Sequence, residues 1–84
     1  MNISIDAIAN FNPVGAVKPL FIRLEDENHE LHTYKIETIK QTKEENISGI
    51  HALIFKCGIE EQGMMRDVTL RYHCRSHKWS LIEP

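Results

Sequence analysis

From Asn2 to Phe11 the apolar side chains Ile3, Ile5, Ala7, Ala9 and Phe11 occupy odd positions, with Asn2, Ser4, Asp6 and Asn10 between them. A period of two puts these side chains on one face of an extended chain and predicts a strand, with Ile8 alone out of step. Asn12, Pro13 and Gly15 punctuate a turn before Val17 to Glu25, where Leu20, Ile22 and Leu24 alternate with Phe21, Arg23 and Glu25. Pro19 has no N–H for a ladder and suits an edge or the first residues of a strand. The polar run Asp26 to Glu30 includes Asn28, which tolerates the left-handed backbone of a short loop, so a hairpin is expected there.

A third strand is predicted over Leu31 to Gln41, with Tyr34 and Ile36 on one side. Ile39 lies at odd spacing from them, which places a bulge or bend near Glu37 and Thr38. Thr42 to Gly49 reads as a polar connection too short for the crossover helix of a parallel sheet, so antiparallel pairing is implied. Ile50 to Ile59 contains the densest apolar run, Ala52-Leu53-Ile54-Phe55, expected mid-sheet with both faces covered. Gln62-Gly63 turns the chain into Met65 to Cys74, where Val68, Leu70, Tyr72 and Cys74 alternate with Asp67, Thr69, Arg71 and His73. Lys78 to Glu83 closes the chain with Trp79 and Leu81 on its apolar side.

These elements predict an all-β fold: a six-stranded antiparallel meander forming a small SH3-like or partly open barrel. An oligonucleotide-binding barrel ranks second, because it normally carries a helix after its third strand and Thr42 to Gly49 has space for about one or two turns only. The 84 residues, 1–84, suffice for one core and make a single β domain. A 42% hydrophobic, 26% charged composition with few Gly and Pro belongs to a folded globular chain. No apolar run approaches the ~20 residues of a membrane helix, and Met1 to Asn10 lacks the basic start of a signal peptide. A cytoplasmic protein is the expectation.

Pairing arithmetic places the chemically suggestive residues. If Leu53, Phe55 and Cys57 face the core with Val68, Leu70 and Tyr72, a two-residue turn at Gln62-Gly63 sets Cys57 opposite Val68, Phe55 opposite Leu70, Leu53 opposite Tyr72 and His51 opposite Cys74. A two-residue turn at Arg75-Ser76 sets Tyr72 opposite Trp79 and Cys74 opposite His77. His51, Cys74 and His77 would then cluster, and a thiolate with two imidazoles is a zinc-like donor set. A structural site needs a fourth ligand, yet His73 points the other way and Cys57 is ~20 Å along the strand at about 3.3 Å per residue. Two buried, reduced thiols with His51 and His77 at the core's rim is therefore the preferred reading, with no metal and no cofactor.

Cys beside His also makes a minimal nucleophile pair, but no Gly-rich elbow or oxyanion loop accompanies it, so no enzymatic activity is expected. The acidic run Glu25, Asp26, Glu27 and Glu30 does not match the spacing of a calcium loop, and no Gly-rich phosphate loop occurs.

The formal net charge of −2 hides an uneven distribution. Residues 64–84 carry Arg66, Arg71, Arg75 and Lys78 against Asp67 and Glu83, whereas the acidic excess lies earlier in the chain. In the registers above, the outward face of the last three strands gathers Lys56, Arg71, His73, Arg75 and Lys78 around Ile50, Ile54 and Ile82. Such a face suits a protein partner or a second copy of the chain, with Phe21 adding apolar surface. The alternative is weak, sequence-tolerant nucleic-acid binding through the same cations, although Tyr72 and Trp79, which could stack on bases, face inward.

The run Arg71-Tyr72-His73-Cys74-Arg75 shortly before Lys78-Trp79, together with His32-Thr33-Tyr34-Lys35-Ile36, resembles a family of uncharacterised small bacterial proteins built from one all-β domain. The resemblance spans most of the chain after Pro19. It implies a bacterial, single-domain, cytoplasmic setting and brings no activity, cofactor or catalytic residue.

Overall fold

The alternating segments pair in chain order. A computed structural model describes residues 2–83, with strands β1 (Asn2–Phe11), β2 (Val17–Glu25), β3 (Leu31–Ile47), β4 (Ile50–Glu61), β5 (Met64–His73) and β6 (Lys78–Ile82). Every neighbouring pair is antiparallel, and β1 also pairs with β6, so the meander closes into a six-stranded barrel rather than staying partly open. There is no helix among the described residues, and thus none long and apolar enough to cross a membrane.

Two strands change partners to achieve closure. β1 pairs with β6 through Asn2 to Ile5 and with β2 through Asp6 to Phe11. β3 pairs with β2 through Leu31 to Lys35 and with β4 through Ile36 to Ile47. At the second handover the register slips between Ile36 and Thr38 and again between Ile39 and Gln41, which puts the expected bulge where a strand must bend from one sheet into another. A slip at Ile8/Ala9 leaves Leu20 as the extra residue of β2 and Ile8 61% exposed, the reason Ile8 breaks the alternation. Pro19 precedes the β2–β3 ladder, which begins at Phe21, so its missing donor interrupts none of that ladder's bonds.

The expected β4–β5 register holds, with Cys57 opposite Val68, Phe55 opposite Leu70 and Leu53 opposite Tyr72. Tyr72 likewise opposes Trp79. Val68, Leu70 and Tyr72 point inward and pack with Ile22, Leu24, Ile36, Phe55, Cys57, Ile59, Trp79 and Leu81 in one core cluster. The rings of Trp79, Phe55 and Tyr72 adjoin, with centroids 5.7 and 4.9 Å from Trp79.

Two sequence expectations are corrected. Thr42 to Gly49 is no connection: β3 continues to Ile47, and the turn is only Ser48-Gly49. Both turn residues have positive φ, 53° and 79°, as do Gln62 and Gly63 at 52° and 77°. Such turns match the right-handed twist of a hairpin, so backbone pairing with β4 holds a segment that has no apolar alternation of its own. At the other correction, β5 and β6 join through Cys74 to His77, not through a two-residue turn. The ladder ends at His73 opposite Lys78, His77 N–H donates to the His73 carbonyl at 2.8 Å, and His77 takes φ 58°, so Cys74 and His77 are not ladder partners.

Candidate binding face

The outer face of the five-strand sheet is organised in cross-strand rows. One row runs Lys43, Ile54, Arg71, Ser80, Ser4; the next, Glu45, Ala52, His73, Lys78; and on the other side, Gln41, Lys56, Thr69, Ile82, Asn2. All five residues expected on a basic surface, Lys56, Arg71, His73, Arg75 and Lys78, belong to this face or to the turn continuing it, but they divide into two kinds.

Arg71 and His73 are half-buried and engaged. The Arg71 guanidinium reaches diagonally across β4 to Glu45 at 3.1 Å, and the small Ala52 below the crossing is only 2% exposed. This ion pair covers the outer side of β4 over Ala52. His73 Nε2 lies 3.4 Å from the hydroxyl of the buried Ser80. Lys56, Arg75 and Lys78 are exposed, and among the described residues none has a carboxylate within ion-pair distance. Lys43 is a further unpaired, exposed cation of the face. Together with Glu45 it was hidden from sequence reasoning by the assignment of Thr42 to Gly49 to a connection. Lys40, nearby, is neutralised by Asp67 at 2.6 Å. Between these charges lie Ile47 and Ile50, 61% and 64% exposed at the hairpin tip, and the half-buried Ile54 and Ile82. Phe21 does not join them, because it sits between Ile8 and Lys35 on the three-strand side of the barrel.

At the upper end of the face, Gly49, Ile50, His51, His73, Cys74, Arg75 and Ser76 line a groove of about 470 Å³ between the β3–β4 tip and the β5–β6 turn. His51 and Cys74 do meet there, with Cys74 N–H donating to the His51 carbonyl at 3.1 Å. The proposed trio of His51, Cys74 and His77 does not converge as ligands. The His51 imidazole is bound to Glu44 at 2.5 Å, and His77 Nδ1 shares a hydrogen bond with the Tyr72 hydroxyl at 2.8 Å, so each ring is turned to its own partner. Cys57 is enclosed in the core, and burial pushes its thiol up to about 11, which keeps it protonated and unreactive at neutral pH.

Asp26, Glu30 and His32 form the one group of three candidate metal ligands that converge among the described residues. Its bonds explain it without an ion. Asp26 Oδ1 accepts the N–H groups of Asn28 and Glu30 at 2.8 and 3.0 Å, and Oδ2 accepts from His32 at 2.7 Å. The His32 bond first, and the backbone donors after it, hold the Asp26 carboxyl below its ordinary 3.8. The acidic loop is thus stapled by its own aspartate, with His32 the member that the acidic run alone did not reveal.

No known protein family, curated protein or solved structure matches the chain.

Proposed function

We propose that this protein is a non-catalytic binding module whose outer β3–β6 face engages an acidic, partly apolar surface of another protein. The observation that carries the reading is the juxtaposition of four exposed, unpaired cations, Lys43, Lys56, Arg75 and Lys78, with the exposed Ile47 and Ile50 and the half-covered Ile54 and Ile82. Unpaired cations around an apolar strip favour a partner offering carboxylates at its rim and aliphatic groups at its centre. Two copies meeting face to face would oppose like charges, which weighs against self-association through this surface. The absence of aromatic side chains from these rows weighs against base stacking and keeps nucleic acid the second choice.

A titration of isotope-labelled protein with a Glu/Leu-rich peptide and, separately, a single-stranded oligonucleotide tests the reading at low salt. The peptide is expected to shift the amide signals of Lys43, Lys56, Arg75 and Lys78 and their neighbours. Replacing Lys56, Arg75 and Lys78 together by Glu should weaken binding at least tenfold. Binding of the oligonucleotide without the peptide would transfer the face to nucleic acid, and binding of neither would end the proposal.

A further inference from the structure

β3 has β2 beside it only as far as Lys35, so from Gln41 to Ile47 it pairs with β4 on one side and, among the described residues, with no strand on the other. The edge is long and regular, because both register slips lie at or before Gln41 and the ladder from Gln41 to Ile47 contains none. In a hairpin closed by the two-residue turn Ser48-Gly49, Ile47 and Ile50 form a hydrogen-bonded pair, and such pairs recur at every second residue. Gln41, Lys43, Glu45 and Ile47 therefore direct their main-chain groups to β4, while Thr42, Glu44 and Asn46 direct theirs outward along the open edge. All three are exposed. Unpaired N–H and C=O groups in a row are a template for another strand.

We infer that the occupant is a second copy of this chain, the two β3 edges pairing antiparallel about a two-fold axis at Glu44. Residues directly opposite across an edge interact through their side chains, so the sequence of the edge selects the register. An axis at Lys43 would oppose two lysines, and an axis at Glu45 two glutamates. The axis at Glu44 places Lys43 against the partner's Glu45 and Glu45 against the partner's Lys43 on the outer face, with Thr42 against the partner's Asn46 on the inner one. The two Glu44 side chains meet at the axis, but each carboxylate is drawn back toward its own β4 by the His51 imidazole at 2.5 Å. The contact runs along the edge and takes up only Lys43 of the cationic face, so it leaves Lys56, Arg75 and Lys78 open and joins two such faces into one continuous sheet. It does not depend on the proposed acidic partner.

Sedimentation at hundreds of micromolar should give twice the mass of the chain. Thr42→Pro removes a donor that points away from β4, so the hairpin survives while the association weakens at least tenfold. Lys43→Glu, which puts Glu opposite Glu at two symmetric positions, should weaken it as much with the circular dichroism spectrum unchanged. In a Cys74→Ser background, Glu44→Cys should oxidise to a disulfide-linked dimer, since the α-carbons of such a pair are about 5.5 Å apart, whereas Lys43→Cys should not. A monomer at every concentration, a dimer indifferent to both edge substitutions, or crosslinking through Lys43→Cys in place of Glu44→Cys would each overturn the inference.

Discussion

β5 and the last part of β3 flank the same strand, β4, from opposite sides, yet they are held in different ways. β5 has β6 as its second neighbour and buries Val68, Leu70 and Tyr72 beneath the sheet. The stretch from Gln41 to Ile47 has no second neighbour strand among the described residues, and of its side chains only Glu45 is even half-covered, by Arg71. One strand is secured by burial of apolar area. The other is secured by ladder bonds, a turn of the right hand, the Glu45–Arg71 ion pair and the Glu44–His51 contact. Elements of the second kind open locally at a fraction of the global free energy, while elements of the first kind open only with the whole domain.

Substitutions should separate the two kinds. Phe55→Ala strikes the core common to β4, β5 and β6 and empties space against Trp79, so a loss of about 3–5 kcal/mol is expected by urea unfolding. A smaller value would mean that the core collapses around the gap. Gly58→Ala tests the join where β3 bends past β4. A β-carbon there would stand 2.8 Å from Thr38 Oγ1 and 3.2 Å from Met65 Cε, and a loss of about 1–3 kcal/mol should follow. Gly49→Ala introduces a side chain at φ 79° in the hairpin turn, where nothing crowds it, so only backbone strain of about 1–2 kcal/mol is added. Hydrogen exchange should quicken at Lys43 and Glu45 with β5 little affected; equal quickening in β5 would show that the tip unfolds only with the barrel.

The smallest effect concerns acid. The Asp26 carboxyl is held below its ordinary 3.8, chiefly by His32, so it binds a proton less readily folded than unfolded. Its contribution is complete above 3.8 and is lost as pH falls through the lowered folded value. Thermal melts of the wild type and Asp26→Asn should therefore differ at neutral pH and converge toward strongly acidic pH. A constant difference at all pH values would assign the effect to the loop's shape instead of its charge.

The legible parts of the sequence were those where burial imposes a period. The even positions of β5 and the odd positions of β1 each gave a strand with its inward face, the run Ala52 to Phe55 gave a covered central strand, and the parity of β4 and β5 together with a two-residue turn at Gln62-Gly63 fixed which residues oppose one another. The bend near Glu37 was legible for the same reason, as a lapse in that period. Thr42 to Ile47 was not, because a strand with one neighbour and no buried face leaves no hydrophobic trace, and with it Lys43 and Glu45 were lost from the candidate face. The cysteine–histidine trio failed for a different reason. Ladder arithmetic brought His51 and Cys74 to one groove, but side-chain direction was settled by the particular partners Glu44 and Tyr72.

The order of apolar and polar residues along this chain determined its class, its strands and the inward side of most of them, because each depends on neighbours two positions apart. Closure of the barrel, the handovers of β1 and β3 between partners, and the division of the basic residues into engaged Arg71 and open Lys56, Arg75 and Lys78 were decided only by the tertiary structure. They depend on distances between residues far apart in the chain, and no local period encodes those.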